Sequence, residues 1–266
     1  MNRPCVLVFA GTDPSGGAGI QADVQAIAAL GAHPLSVVTA LTIQDNDRVF
    51  AVHPVPALLL QQQAQALLNK FEIAAVKIGI VANLANAEAI AAIIGKLKET
   101  QPDLPVVFDP VLASGHGDAL ALGDALQALA PLIGIATLIT PNLPEAAALS
   151  SGDRRADTQA ETLMRRGVPH ILIKGGHGAA DQKVVNRWYC EGESRSWSWP
   201  RLSGSYHGSG CTLAAAIAGL LARGKSMEEA IDRAQIYSQK ALETAYEVGA
   251  GQRIPNRFLI ALDEQK

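Results

Sequence analysis

One glycine-rich segment of the chain has the composition of an anion-binding turn. Residues 207–212 read His-Gly-Ser-Gly-Cys-Thr and lead into an apolar run typical of a buried helix. Four consecutive residues there can point their backbone N–H groups at one oxygen atom: Gly208, Ser209, Gly210 and Cys211. The start of a helix adds partial positive charge. This arrangement predicts an anion hole suited to the charge that spreads over a phosphoryl group during its transfer.

The cysteine of this segment has two interpretations. At the start of a helix, the peptide dipoles lower the pKa of a thiol, so Cys211 can be a thiolate or a proton acceptor. If it is the acceptor, Cys211→Ala lowers turnover far more than it changes ATP binding. Most free cysteines are instead small, buried apolar residues. The sequence alone leaves both interpretations open.

A second glycine-rich segment follows the first apolar run of the chain. Residues 11–23 read GTDPSGGAGIQAD and contain four glycines, which let backbone N–H groups approach a ligand or a phosphate. A plain turn between a strand and a helix is the alternative. Residues 17–22 also match the dinucleotide pattern G-x-G-x-x-A, but its first glycine comes several residues after the strand instead of directly after it. An oxidoreductase is therefore disfavoured.

The segment 219–226 has the spacing of a P-loop, with Lys225 and Ser226 at its end. A P-loop follows a strand, whereas the pattern before this segment predicts a helix. The sequence fits better as the glycine end of one helix followed by a serine cap on the next. We therefore do not assign phosphate binding to it.

Acidic and amide side chains follow two further apolar runs. Asp109 ends one run, where a carboxylate suits a divalent cation or its bound water, although Asp-Pro is also a common turn start. Asn142 and Glu145 lie three residues apart at a predicted helix start, so they face the same way. They can hold magnesium through water, or they can form a capping box. Lys174 and Gly176 suit nucleotide phosphates or a surface turn.

Composition excludes several functional classes. The 266 residues are 48% hydrophobic, with a net charge of −3 and scattered Lys and Arg, which gives no electrostatic footprint for nucleic acid or an anionic membrane. The three cysteines form no CxxC pair, so a disulfide framework and a structural zinc site are not indicated. The apolar run near the N-terminus is too short for a signal peptide. We expect a protein of the reducing cytoplasm.

Apolar runs alternate with longer amphipathic stretches along the chain. Predicted strands are Cys5–Ala10, Leu35–Leu41, Ala74–Ile78, Pro105–Phe108, Ala136–Thr140 and His170–Ile173, with a hairpin of Val184–Tyr189 and Ser194–Trp199. Predicted helices are Ala18–Leu30, Pro56–Phe71, Leu84–Lys98, Asp118–Ala130, Leu143–Leu149, Asp157–Arg166, Thr212–Ala222 and Met227–Tyr246. This rhythm predicts an α/β fold with three layers and a mostly parallel central sheet, in a single domain over residues 1–266.

These segments, in this order, resemble the ribokinase superfamily. The motifs are GTDPSGGAGIQAD, VVTALTIQ, KIGI, DPVLASG, TPNLPEA, KGGH and HGSGCTLAAAIA, which together cover essentially the whole chain. Within that superfamily they resemble the hydroxymethylpyrimidine and phosphomethylpyrimidine kinases of thiamine biosynthesis. The resemblance implies ATP with magnesium and a homodimer. It also implies phosphorylation of the hydroxymethyl oxygen of a pyrimidine, often followed by phosphorylation of that phosphate. Pyridoxal kinase and a non-catalytic pyrimidine sensor are the alternatives.

The resemblance also implies roles for individual residues. The implied substrate-binding residues are Gly11, Ala18, Asp23, Gln44, Ile80 and Val107. The implied nucleotide-binding residues are Lys174, Gly176, Asn142 and Glu145, and the implied metal-associated residues are Asp109, Asn142 and Glu145. Residues 208–211 correspond to the anion hole, with Cys211 at the position of the proposed base.

The chain departs from the family pattern after Gln44, at Ile80 and in the loop after Asp109, which is short. After Gln44 it reads Asp-Asn-Asp-Arg-Val, where the family usually has Asn-Thr and then Gly-Val. We expect residues 45–49 to form a flap over the substrate, and its two additional acids, Asp45 and Asp47, put the second phosphorylation in doubt. Ile80 stands where Met is common, a mild change in an apolar wall.

Overall fold

The short apolar runs form a nine-stranded sheet in the computed structural model, which describes residues 2–118, 120, 124–176 and 182–258. The strands are β1 (Cys5–Gly11), β2 (His33–Gln44), β3 (Val49–Pro54), β4 (Ile73–Ile78), β5 (Val106–Phe108), β6 (Leu138–Ile139), β7 (His170–Ile173), β8 (Lys183–Cys190) and β9 (Glu193–Pro200). Their spatial order is β3-β2-β1-β4-β5-β6-β7-β8-β9.

Six inner strands, which in spatial order are β2, β1, β4, β5, β6 and β7, all run parallel to one another. At the two edges β3, β8 and β9 run antiparallel to their neighbours. The chain moves outward in one direction from β1 to β3 and then in the other direction from β4, so the order reverses between β1 and β4. Ligands of open parallel sheets bind beyond the carboxyl ends of the strands at such a reversal.

Eight helices in the described residues cover the two faces of the sheet. They are α1 (Gly19–Ala29), α2 (Ala57–Leu68), α3 (Leu84–Thr100), α4 (Ala125–Ile133), α5 (Leu143–Leu149), α6 (Ala156–Arg165), α7 (Ser209–Ala222) and α8 (Met227–Glu243). In one hydrophobic core, the five helices α2, α3, α4, α5 and α6 pack against one face of the sheet, which includes Leu7 and Phe9. The other core joins α1, α7 and α8 with the opposite face, including Val6 and Val8. The predicted three-layer α/β fold is confirmed.

The sheet contains one strand that the sequence pattern did not indicate. β3 pairs antiparallel with the second half of β2, from Ala40 opposite Pro54 to Gln44 opposite Val49. This pairing extends β2 to Gln44, beyond the predicted end at Leu41. β3 is an edge strand with no fully buried residue, although it begins with four apolar residues, at positions 49–52.

The predicted helix Asp118–Ala130 is wrong at its start. Asp118 lies outside any helix, because its carboxylate accepts hydrogen bonds from the Arg48 side chain and from the Val49 N–H. The helix α4 begins instead at Ala125, where the Asp124 side chain caps the N–H groups of Leu126 and Gln127. Residues 119 and 121–123 of the prediction lie outside the described residues.

The P-loop-like segment forms two helix ends. Gly224 follows α7 with a left-handed backbone (φ +77°), and the Ser226 side chain accepts a hydrogen bond from the Glu229 N–H at the start of α8. The capping interpretation is therefore confirmed. Across the described part of the chain, no helix has the length and apolar character needed to cross a bilayer.

Candidate active site

A cavity of about 480 Å³ opens at the carboxyl ends of the parallel strands. In the order of the sheet, its wall includes Gln44 from β2, Ile80 after β4, Asp109 after β5 and Lys174 after β7, and it reaches Trp199 on β9. The volume falls in the range of small-molecule sites. The wall therefore extends from the second strand to the far edge hairpin, and the N-terminus of α7 borders it near the middle.

The predicted anion hole lies on this wall. Gly208, Ser209, Gly210 and Cys211 all line the cavity, and α7 begins at Ser209. The first N–H groups of a helix have no acceptor within that helix, so they are available to a ligand. Gly208 has a left-handed backbone with φ of 77°, and a Cβ there would lie 2.0 Å from the carbonyl oxygen of Gly17.

A carboxylate–imidazole hydrogen bond joins the two glycine-rich segments. Asp13 is fully buried, and its Oδ2 lies 2.8 Å from Nε2 of His207, which lines the cavity. The same carboxylate accepts the N–H groups of Ser15 and Ala18 at 2.9 and 2.6 Å. Burial alone would raise the pKa of Asp13, but the hydrogen bonds from His207 and Ser15 outweigh burial and hold the pKa below its usual value. An ionised Asp13 therefore ties residues 11–19 to the start of α7.

An ion pair between Lys174 and Asp109 lies beside the anion hole. Lys174 Nζ donates to Asp109 Oδ1 at 2.6 Å, and Thr140 Oγ1 donates to the same oxygen at 3.0 Å. The ammonium is also 3.0 Å from the position that a Cβ on Gly210 would take. Burial alone would lower the pKa of Lys174, but the carboxylates of Asp109 and Glu145 outweigh it and keep the pKa above its usual value. Lys174 is therefore a charged donor at the helix terminus.

The capping-box interpretation of Asn142 and Glu145 is confirmed. Asn142 Oδ1 accepts the Glu145 N–H at 2.9 Å, and Glu145 Oε2 accepts the Asn142 N–H at 2.7 Å. Burial raises the pKa of Glu145 to about 7, with Lys174 opposing the shift and Asp109 adding to it. Both side chains also line the cavity, so the cap does not remove them from the site.

The oxygen atoms on this wall fit a magnesium ion. Both hydrogen bonds to Asp109 use Oδ1, which leaves Oδ2 on the side that faces Gly210. Among the described residues no group of three or more His, Cys, Asp and Glu side chains is placed to hold a metal. Magnesium needs no such cage, because it usually takes one or two carboxylates and completes its shell with water and substrate phosphates. The metal-associated roles of Asp109, Asn142 and Glu145 stay predictions.

The residues predicted to bind substrate fall into two groups. Ala18, Gln44 and Ile80 line the cavity. The Gln44 Nε2 donates to the Thr12 carbonyl at 3.2 Å, which leaves its side-chain oxygen as an acceptor.

The second group does not lie on the cavity wall, which differs from the prediction. They are Gly11, Asp23 and Val107. Val107 is fully buried in the α1, α7 and α8 core, because β5 is covered on both faces. A Cβ on Gly11 would lie 3.7 Å from that of Ile80, so this glycine is just behind the wall. Ligand contacts at these positions stay predictions.

Asp23 forms a buried ion pair. Its Oδ2 accepts from Lys77 Nζ at 2.8 Å, and neither side chain is exposed. Desolvation opposes the charged forms, and the mutual attraction of the two groups favours them. Asp23 therefore joins α1 to β4 beneath the cavity floor. The sequence signal for its partner was Lys77, the single charged residue in the otherwise apolar strand β4.

Of the two interpretations of Cys211, burial favours the small, neutral thiol. Burial raises the pKa of this thiol to about 11, with Lys77 opposing the shift and the Asp109 and Asp23 carboxylates adding to it. The thiol is therefore neutral at pH 7 and is not poised to accept a proton. The field at the start of α7 is present, but desolvation exceeds it.

The segment after Gln44 forms the turn between β2 and β3 at the cavity rim. Asp45 accepts the N–H groups of Asp47 and Arg48, each at 2.8 Å, so it closes its own turn. Asp47 lies 3.0 Å from His116, and Arg48 pairs with Asp118. The two additional acids therefore both have partners, and the turn is joined to residues 114–118 across the cavity mouth.

The sequence of the chain matches a model of one enzyme family. Residues 13–256 match the phosphomethylpyrimidine kinase model. The chain belongs to the phosphomethylpyrimidine kinase family. Members transfer a phosphoryl group, which agrees with the anion hole, the lysine and the carboxylates along this wall.

Curated proteins of the phosphomethylpyrimidine kinase family resemble the chain over nearly its whole length. A hydroxymethylpyrimidine/phosphomethylpyrimidine kinase of Rhizobium meliloti is 38% identical, with 95% of this chain and 96% of that protein covered. A thiamine biosynthesis multifunctional protein of Corynebacterium efficiens is 36% identical over 97% of this chain. The chain spans only 36% of the length of that multifunctional protein.

Solved structures show the same fold. The phosphomethylpyrimidine kinase of Clostridium difficile has a TM-score of 0.77 and 33% identity, with 90% of this chain and all of that chain covered. The pyridoxal kinase of Staphylococcus aureus, solved in complex with AMP-PCP and pyridoxal, has a TM-score of 0.83 and 27% identity, with 100% and 97% covered. The fold is therefore common to kinases of two vitamin precursors.

The sequence interpretation missed three residues that hold the site together. They are Asp13, His207 and Arg257. Asp13 and His207 lie within the motifs that we quoted, so their presence beside the glycines was a signal. Arg257 lies near the end of the chain, where no pattern pointed to the site. His177, part of the KGGH motif, lies outside the described residues.

Proposed function

We propose that the chain phosphorylates the hydroxymethyl group of 4-amino-5-hydroxymethyl-2-methylpyrimidine with magnesium ATP, in thiamine biosynthesis. One observation carries the proposal: a single cavity joins the Gln44 and Ile80 side to the Lys174 side, with the N-terminus of α7 between them. A transferable phosphoryl group needs an acceptor pocket on one side, a nucleotide pocket on the other and electrostatic stabilisation between. The family membership supports this assignment.

The acceptor pocket suits a small aminopyrimidine. Ala18 and Ile80 give it apolar walls, and the free side-chain oxygen of Gln44 provides an acceptor for the amino group. A buried polar edge of a ligand must be paired, so a few such groups decide orientation. In this pose the hydroxymethyl oxygen lies toward Cys211 and the α7 N-terminus.

The nucleotide pocket lies toward β8 and β9. Lys174 and Gly176 follow β7, and beyond them the wall is made by Trp199 and by Ser238 on α8. Among the described residues the buried Ser238 hydroxyl has no hydrogen-bond partner, as is expected of a group that meets a polar ligand. Lys174 neutralises phosphate charge here, and Asp109, with Asn142 and Glu145, would hold a magnesium ion. Magnesium, when bound, offsets charge on the phosphate oxygens.

The N-terminus of α7 stabilises the charge that develops on the transferring group. The N–H groups of residues 209–211 and the Lys174 ammonium converge there, and both are fixed before the substrate arrives. The two substrates need only be held in line, because phosphoryl transfer requires little covalent assistance.

The test is a panel of acceptors with purified full-length protein. Magnesium ATP is mixed separately with hydroxymethylpyrimidine, its monophosphate, and pyridoxal, and ADP release is followed with mass detection of the products. Turnover on hydroxymethylpyrimidine supports the proposal, and turnover on the monophosphate shows a second phosphorylation. Turnover on pyridoxal alone would assign the pyridoxal kinase activity of the Staphylococcus aureus relative, and no turnover in any mixture would favour a non-catalytic sensor.

Cys211→Ala is expected to keep kcat within about tenfold of the wild type, whereas loss of a true general base costs about 100-fold or more. The reason is that the thiol is neutral at pH 7, while alanine preserves the backbone N–H of the anion hole. Steady-state kinetics with the active acceptor from the panel measure this. A 100-fold loss of kcat with an unchanged KM for ATP would restore the proton-acceptor role.

We further propose a homodimer formed through the edge strand. Large apolar side chains are exposed on β2, β3 and the start of α2: Leu41, Ile43, Phe50, Leu58 and Leu59. An exposed apolar surface of this kind marks an interaction site, and an uncovered edge strand favours pairing with another chain. A second copy, presenting the same apolar surface, is the simplest partner.

The double substitution Leu41→Asp and Ile43→Asp is expected to halve the mass of the protein in solution. Two carboxylates in a buried apolar interface would lose their hydration without a partner. Light scattering after size-exclusion chromatography measures the mass. Leu126→Asp, which places an acid at an exposed leucine on α4, is the control and should leave the mass unchanged. A wild-type monomer, or an unaffected mass in the double variant, would refute the dimer surface.

The remaining features are consistent with one intracellular kinase domain. A single sheet runs through the described residues, which supports one domain over residues 1–266. The three cysteines of the protein are all free, which supports a reducing compartment such as the cytoplasm.

A further inference from the structure

Arg257 lies in the segment that follows α8 and turns back under the active site. Its side chain is only 1% exposed. The Tyr237 hydroxyl donates to the Arg257 carbonyl at 2.8 Å, and the Asn256 N–H donates to the Ala241 carbonyl at 2.9 Å. Both anchors lie on α8, so the backbone beside this arginine is held firmly to the helix.

The guanidinium bridges three separate parts of the site. Its Nε donates to Thr212 Oγ1 at 2.9 Å, in the first turn of α7, and one terminal nitrogen donates to Gln25 Oε1 at 3.1 Å, on α1. The other terminal nitrogen donates to the carbonyl of Gly17 in the first glycine-rich segment. The planar fork of an arginine is suited to such a three-way contact.

These contacts continue directly to the anion hole. Thr212 Oγ1, which accepts from Arg257, itself donates to the Gly208 carbonyl at 2.8 Å. Gly17, whose carbonyl also accepts from the Arg257 guanidinium, is the residue against which Gly208 packs most closely. Arg257 therefore fixes both sides of the contact that places the α7 N-terminus.

The charge of Arg257 has no carboxylate partner among the described residues. Its three hydrogen-bond acceptors are a hydroxyl, an amide and a backbone carbonyl, and all are neutral. A buried cation without a counter-ion is costly, and a guanidinium does not lose its proton at physiological pH. Burial lowers the pKa of Arg257, and the charges that Cys211, Tyr237 and Asp23 can carry oppose this shift. The positive charge lies against Thr212, the residue after Cys211, and adds to the field of the helix terminus.

We propose that Arg257 is a positioning residue for phosphoryl transfer, which clamps the two glycine-rich segments together and places a fixed positive charge beneath the anion hole. It does not line the cavity, so it acts through the α7 N-terminus and does not contact the substrates. The transferring phosphoryl group supplies the negative charge that the buried guanidinium lacks. This inference rests on the proposed kinase reaction.

The test compares Arg257→Met and Arg257→Lys with the wild-type full-length protein. Arg257→Met is expected to lower kcat about 100-fold, while the KM values for ATP and for the acceptor change less than about threefold. Arg257→Lys keeps the charge, so its kcat should lie between the two. Arg223→Met is the matched control, because Arg223 is exposed at the end of α7 and donates to the Leu30 carbonyl, far from the cavity. It should behave as the wild type.

A second readout separates this role from a merely structural one. ADP with aluminium fluoride imitates the transferring phosphoryl group, and its affinity is measured beside that of ADP alone with magnesium present. Arg257→Met should weaken the aluminium fluoride complex about 30-fold or more and ADP alone less than about threefold. Equal weakening of both, or a kcat within threefold of the wild type, would overturn the proposal.

Folding of each variant is checked by circular dichroism. If Arg257→Met does not fold, Thr212→Val removes only the hydroxyl that links Arg257 to Gly208 and leaves the charge in place. It should lower kcat about tenfold with unchanged KM values, and a wild-type kcat in this variant would overturn the proposal. If the wild type phosphorylates none of the acceptors, the proposed function fails, while the aluminium fluoride measurement still decides the role of Arg257.

Discussion

Lys174→Met is expected to lower kcat about 1,000-fold, with the KM for the pyrimidine nearly unchanged. The ammonium is the charged donor closest to Gly210 in the anion hole, so its loss removes stabilisation that is greatest when the phosphoryl group transfers. The loss also leaves Asp109 without its cationic partner, which adds a nearby negative charge that repels the nucleotide. Steady-state kinetics with varied ATP and varied acceptor separate the two effects.

Lys225→Met is the matched control for this substitution. Lys225 forms an exposed ion pair with Glu229 on α8, and such pairs contribute little to stability. We expect its kcat and KM values to equal those of the wild type. If Lys174→Met kept more than a tenth of the wild-type kcat, the lysine would not be part of the phosphate site.

Gly208→Ala is expected to lower the free energy of unfolding by about 4 kcal/mol. The backbone of Gly208 has φ of 77°, which an alanine adopts only with strain, and the new Cβ would overlap the Gly17 carbonyl oxygen at 2.0 Å. Either the helix terminus or the first segment must move, so kcat should also fall about 100-fold. Urea unfolding and steady-state kinetics measure the two effects.

Gly224→Ala separates backbone strain from collision. Gly224 has the same φ of 77°, but a Cβ there meets no atom within 4 Å. Its cost should therefore be about 1 kcal/mol, the cost of a left-handed alanine alone. If both alanine variants lost the same stability, the contact between Gly208 and Gly17 would not hold the two segments together.

The sequence predicted the elements whose signals are local. The helix Leu143–Leu149 and the strand His170–Ile173 agree with the prediction to the residue, because a capping box begins the helix and a short buried run forms the strand. β3 was missed although it begins with four apolar residues, since its pairing with β2 is a contact between segments that no local pattern marks. The start of α4 was misplaced, since Asp118 is held by Arg48, some seventy positions earlier in the chain.

The sequence predicted which motifs meet at the candidate site, but not the pKa values of the groups within it. The chain order of the parallel strands brings Gln44, Lys174 and residues 208–211 to one edge of the sheet, as the sequence implied. The pKa of Cys211 was not predictable, because desolvation depends on how deeply the folded protein buries a group. The same holds for Asp23, whose partner Lys77 lies on a different element.

The close packing of the two glycine-rich segments has a consequence for how substrate preference can change. A Cβ on Gly17 would lie 2.3 Å from the His207 ring, and one on Gly208 would overlap Gly17, so neither surface tolerates a larger residue. The opposite wall, formed by Gln44, Val49 and Ile80, lines the cavity with side chains whose replacement leaves this contact intact. We therefore expect substitutions that change the acceptor preference of this protein to fall at the ends of β2 and β4 and the start of β3, because the contact between the two glycine-rich segments leaves little space for larger residues.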